Sequence, residues 1–158
     1  MLRCVLVVLS IWPVVAQAQF VNTCVDTLII PTATPPCYPD FLPVCGCDGN
    51  TYRNACFANF AGVLQYEYVP CDGVAINIVQ NPVFDFLYLD VATRFGTDVQ
   101  IWIIDIYGTL YAEYYLQQVE LQQVVIPTYS FKRGAYVVLA ESYGATAYKK
   151  FLNYPNGE

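Results

Sequence analysis

Residues 45–56 read Cys-Gly-Cys-Asp-Gly-Asn-Thr-Tyr-Arg-Asn-Ala-Cys, and this stretch decides the fold of the first half of the chain. Asp48-Gly49 is a tight-turn signal, because the pair tolerates the positive φ angles that reverse a short strand. A small hairpin is predicted. Asn54 is placed to cap a helix beginning at Ala55, since its side-chain oxygen accepts from the orphan backbone donors of a first turn. Gly62 suits the left-handed residue that ends such a helix. Working outward, six of the seven cysteines (Cys24, Cys37, Cys45, Cys47, Cys56 and Cys71) lie between residues 24 and 71, and none lies beyond. An even set confined to so short a stretch of an exported chain reads as a disulfide framework, for which six cysteines allow fifteen pairings. Such a segment buries too little apolar surface to offset its chain entropy, whereas each bridge adds about 2–4 kcal/mol. A metal site at Cys45-x-Cys47 is the weaker reading, because no Cys-x-x-Cys pair accompanies it.

Toward the N-terminus, residues 1–18 hold one basic residue, Arg3, then an apolar run to Val15, then Ala16-Gln17-Ala18. That order is a secretory signal peptide with cleavage before Gln19. Cys4 precedes the apolar core, so it does not qualify as the acylated first residue of a mature lipoprotein. No later run reaches the ~20 apolar residues of a spanning helix. The chain carries a net charge of −6 and no histidine. Acidity argues against nucleic-acid binding, which needs a clustered basic face. The missing histidine removes the commonest general base and zinc ligand. Ser130 and Ser142, the serines after the leader, sit in no Gly-x-Ser-x-Gly turn. An enzyme is not expected, nor a cofactor or metal.

Cys37, Pro43-Val44-Cys45-Gly46, Asp48-Gly49, Thr51-Tyr52, Asn54, Cys56 and Cys71 resemble the Kazal-type serine protease inhibitor domain. Seven residues separate Cys37 from Cys45 and ten separate Cys45 from Cys56. The cysteine usual in the helix is absent, Asn59 or a neighbour standing there, while Cys47 occupies a position that is usually Ser. This Cys-Gly-Cys-Asp-Gly variant resembles the form found in secreted bacterial proteins. The resemblance implies bridges Cys37–Cys56 and Cys45–Cys71, with Cys24 joined to the relocated Cys47. It also implies a protease-binding loop between Cys37 and Cys45, made of Tyr38, Pro39, Asp40 and Phe41 and supported by Asn54 and Tyr52. Pro39 then fills the protease's primary specificity pocket. Its ring neither reaches a trypsin-like carboxylate nor fills a chymotrypsin-like slot, and it lacks the backbone N–H of other residues.

Beyond Gly73 the cysteines stop and aromatic and β-branched residues rise, which sets a domain boundary near residue 73. Short alternating runs occur at 74–78, 84–91, 99–105, 110–116, 121–126, 135–141 and 146–152, separated by turn signals such as Asn81-Pro82, Gly96-Thr97-Asp98 and Arg133-Gly134. They predict about seven strands in an all-β, immunoglobulin-like antiparallel sandwich over residues 74–158, following a small α+β module over residues 19–73. Leu87, Leu89, Val91, Val99, Ile101 and Ile103 are expected in the core. Phe84, Phe86, Tyr88 and Trp102 make the opposite face apolar, a candidate partner surface.

This half resembles the type A form of the C-terminal sorting domain of type IX secretion. The residues that carry the likeness are Asn81-Pro82-Val83 with Asp85, Leu87 and Leu89; Asp105 followed by Gly108; Gly134-Ala135-Tyr136 with Val138; and Lys149-Lys150-Phe151. The resemblance implies a bacterium with type IX secretion, passage through the periplasm, recognition by the outer-membrane translocon, and a secreted or cell-surface product. Two functions remain in view. One is a secreted serine protease inhibitor; the other is an extracellular interaction module that keeps the Kazal fold without inhibition.

Overall fold

The computed structural model describes residues 24–28, 30 and 35–155. The leader expected at residues 1–18 lies outside them. Among the described residues no helix is long and apolar enough to cross a membrane.

The N-terminal unit has strands β1 (Val44–Gly46) and β2 (Thr51–Tyr52), helix α1 (Ala55–Phe60) and strand β3 (Tyr66–Glu67). Its antiparallel sheet runs in the order β2-β1-β3. Asp48 shapes the hairpin turn by accepting from the Asn50 amide at 3.2 Å and from the Tyr52 hydroxyl at 2.7 Å. Burial works against the Asp48 charge, yet these bonds hold its carboxyl below the usual range. The core is small: Val44, Ala58 and Val63, with Val25, Tyr52, Ala55, Ala61 and Tyr66 packed around them. Three bridges supplement it, Cys24–Cys47, Cys37–Cys56 and Cys45–Cys71, the pairs that the resemblance implies. The first ties the entering chain to the hairpin turn, and backbone bonds hold that chain against the residues after the helix. There Asp26 donates to the Gly62 carbonyl at 2.8 Å and Leu64 donates to the Cys24 carbonyl at 3.0 Å. Gly62 is required twice over, by its φ of +79° and because a Cβ would lie 2.4 Å from the Asp26 oxygen.

The second unit is an antiparallel sheet of β4 (Val74–Ile78), β5 (Phe86–Asp105), β6 (Leu110–Pro127), β7 (Gly134–Ser142) and β8 (Ala145–Asn153). Along one edge β5 pairs with β6; along the other its first half pairs with β4 and its second half with β7, which pairs with β8. The seven expected strands are therefore five. The runs at 84–91 and 99–105 belong to one strand, as do those at 110–116 and 121–126. Gly96, at φ +63°, and Gln118, at φ +49°, bend the ladder without ending it. Register shifts mark the bend between Ala92 and Val99, where the Asp98 carboxylate accepts from the Gln118 amide at 2.9 Å and the Thr93 hydroxyl donates to the Val119 carbonyl. Gly96 thus marks a bulge where a turn is expected.

Both halves of β5 feed one core. Leu87, Leu89, Val91, Val99, Ile101 and Ile103 are fully buried and meet Val74, Ile76, Tyr136, Val138 and Phe151. The sheet accordingly folds over on itself. Burial, followed by the Tyr111 hydroxyl, pushes the Tyr136 phenol up to about 12, and its hydroxyl donates to the Lys132 carbonyl at 2.9 Å. Phe84, Phe86 and Tyr88 are exposed, whereas Trp102 is half-buried and donates to Glu113 at 3.1 Å. Because β5 bends between them, the outer sides of its two halves look in different directions. The single apolar face expected of these four residues is divided.

Candidate functional site

The segment from Cys37 to Cys45 is pinned at both ends, to α1 through Cys56 and to the end of the first unit through Cys71. Between the pins, Tyr38, Pro39 and Asp40 are exposed, Tyr38 at 84%. Phe41 is half-buried, and Pro43 and Val44 turn into the core. The Leu42 amide donates to the Arg53 carbonyl at 3.0 Å. An exposed crest on fixed ends results, with little freedom left to lose on meeting a partner.

Asn54 lies under the crest, 5% exposed. Its Oδ1 caps α1, accepting from the amides of Cys56 at 3.0 Å and Phe57 at 3.3 Å. Its Nδ2 points the other way and donates to the carbonyls of Tyr38 and Asp40, both at 3.0 Å, and to the Asp40 carboxylate at 3.1 Å. One buried amide therefore couples the helix start to the carbonyls on either side of Pro39. The Pro39 carbonyl between these two is bonded by a different side chain.

Tyr52, the other residue expected to support the loop, lines a cleft together with Phe41 and Arg53. Its hydroxyl is committed to Asp48, and its ring packs on Val44, Ala58 and Val63, so it supports the hairpin. The residue beside Asn54 that holds the loop is Arg53, which the sequence reading passed over. Its Nε donates to the Pro39 carbonyl at 2.6 Å and its Nη1 to Asn77 Oδ1 at 2.9 Å. Asn77 in turn donates to Asp90 at 2.9 Å, and Gln123 donates to the other Asp90 oxygen at 2.8 Å. Asn77, Asp90 and Gln123 are register neighbours on β4, β5 and β6. A polar row thus runs from the loop across three strands. A signal was present: Arg53 is the one lysine or arginine in residues 19–73.

Of the residues that carry the sorting-domain likeness, the polar ones and the glycines sit mostly in turns and at strand ends, while Leu87, Leu89, Tyr136, Val138 and Phe151 belong to the core. Asn81 accepts from the Leu152 amide at 3.0 Å, and Val83, after Pro82, bridges to Asn153. Asp85 has a φ of +57°, and its carbonyl accepts from the Thr128 amide at 2.6 Å. The Asp105 carboxylate accepts from the amides of Tyr107 at 2.8 Å and Thr109 at 2.9 Å, closing the β5–β6 turn around Gly108. Burial opposes the Asp105 charge, yet these amides hold its carboxyl below the ordinary range. Gly134 and Tyr136 open β7, and Lys149 and Lys150 are exposed on β8. Among the described residues no group of three or more acidic, histidine or cysteine side chains is arranged to hold a metal.

Residues 30–64 match the Kazal-type serine protease inhibitor domain. No curated protein matches the chain. The matched span holds the crest, Arg53, Asn54 and α1, and it stops short of Cys71 and the sheet.

Proposed function

We propose that the chain is a secreted Kazal-like serine protease inhibitor, not an enzyme, whose loop of Tyr38, Pro39, Asp40 and Phe41 enters a protease cleft in substrate-like form. The observation that carries this reading is Asn54, which holds the carbonyls on both sides of Pro39 while the disulfides fix the loop's ends. Inhibition of this kind depends on a crest that is already rigid, because binding then orders little and the ends of a cut bond stay together. Pro39 makes the natural sequence a weak inhibitor of trypsin-like and chymotrypsin-like enzymes. Inhibition constants of the full chain against a serine-protease panel test this. Pro39→Arg is expected to strengthen inhibition of trypsin-like members, and Pro39→Leu of chymotrypsin-like members, by at least about tenfold, or ~1.4 kcal/mol. If neither substitution moves the constant, the loop is not an inhibitor scaffold.

The hydrogen bond on the Pro39 carbonyl favours a second reading, a non-inhibitory extracellular or cell-surface interaction module. As for residues 74–158, we read the bent sheet as an immunoglobulin-like sandwich serving as a type IX sorting domain that addresses the product to the outer-membrane translocon. The order of its turn residues along the chain supports this. Fused to an unrelated periplasmic protein in a host with type IX secretion, residues 74–158 should carry it to the surface or medium; retention in the periplasm would overturn the assignment.

A further inference from the structure

We propose that Arg53 is a latch on the loop: it occupies the Pro39 carbonyl that a serine protease needs, and the second domain holds it there through Asn77. This rests on reading Pro39 as the residue at the scissile position. Substrate-like binding places that carbonyl in an oxyanion hole, whose donors approach to about 2.7–3.1 Å. Arg53 Nε already stands at 2.6 Å, in the same shell, as a charge-assisted donor. A protease therefore has to displace the guanidinium before its own N–H groups reach the oxygen.

The guanidinium is not free to swing aside. Nη1 is fixed to Asn77 Oδ1 at 2.9 Å, and Asn77 is 9% exposed, its amide nitrogen committed to Asp90. Asp90 is held in turn by Gln123. Releasing the carbonyl while this row stays intact leaves Arg53 with a broken contact on one side and a buried partner on the other. The loop's readiness for a protease accordingly depends on a domain that lies outside it. A loop joined to the sheet in this way is shut while the two domains stay docked and opens when they part.

The test uses the full chain in a Pro39→Leu background, where inhibition of a chymotrypsin-like protease is measurable, with Arg53→Met and Asn77→Ala added singly. Arg53→Met keeps the aliphatic stem and removes every donor. The latch predicts that Arg53→Met tightens inhibition about tenfold over Pro39→Leu alone, and that Asn77→Ala acts in the same direction by a smaller factor. Weaker or unchanged inhibition with Arg53→Met, in a protein whose three bridges map normally, makes Arg53 a supporting strut or a bystander and overturns the proposal. A second measurement needs no protease. In the natural chain the Arg53 Nε–H should exchange with solvent at least about tenfold more slowly than that of Arg133, and Asn77→Ala should abolish the difference; equal rates in the natural chain overturn the latch directly. Failure of Pro39→Leu itself to inhibit counts against the inhibitor reading and leaves the exchange measurement to decide the latch.

Discussion

Every polar atom of the Asn54 side chain is engaged, its oxygen by two helix amides and its nitrogen by the loop. The two roles can be separated. Asn54→Ala removes the cap and the loop bonds together, at about 2 kcal/mol, whereas Asn54→Ser keeps a good cap and is too short to reach the loop, so it should recover about 1 kcal/mol. Thermal unfolding reads the first difference. Both variants should lose protection of the 38–41 crest against a non-target protease to the same degree; if Asn54→Ser stays as resistant as the natural chain, the bonds to Tyr38 and Asp40 do not stiffen the loop. The cap was legible in the sequence, because Asn before a short helix after a hairpin has a clear local use. The bonds to the loop entered only through the family resemblance. Arg53 stands out in the sequence only as the one cation of a small acidic unit, which does not distinguish it from a solvated charge, and its anchor lies 24 residues away on another sheet.

Among the elements, the hairpin, α1 and β4 could be read from local chemistry, since a turn pair, a cap and an alternating run each act over a few residues. The long strands could not. Gly96 looks like a stop, but whether a positive-φ glycine ends a strand or bends it depends on the opposite strand, here Gln118 and Val119 in β6. The core list survived the error, because a bulge that restores the alternation leaves Leu87, Leu89 and Val91 on the same side as Val99, Ile101 and Ile103. At the end of α1 the constraint is sharper. Gly62→Ala combines a left-handed φ with a backbone collision at Asp26, so it should cost about 1–3 kcal/mol and loosen the Cys24–Cys47 arm. Denaturant unfolding at fixed pH measures it. A loss under about 0.5 kcal/mol would mean that the 24–26 segment yields freely and that the arm is not held as described.

Over the whole molecule the cysteine distribution suggests two self-sufficient units, yet the contacts between them are specific. The Glu67–Arg94 ion pair at 2.7 Å is largely exposed and contributes little. The Arg53–Asn77 bond differs in kind, because its sheet partner is buried and continues into a row of three strands. Through Arg53 the sheet of the second unit is thus joined to the loop of residues 38–41. The central claim is that the crest of residues 38–41 enters a protease active site, and the hydrogen-exchange footprint of the Pro39→Leu chain with a chymotrypsin-like protease tests it most directly. The account predicts slowed exchange at Tyr38, Asp40 and Phe41, abolished when the protease's active-site serine is first blocked covalently. Protection confined to the exposed aromatics Phe84, Phe86 and Tyr88, or binding indifferent to the block, would contradict it.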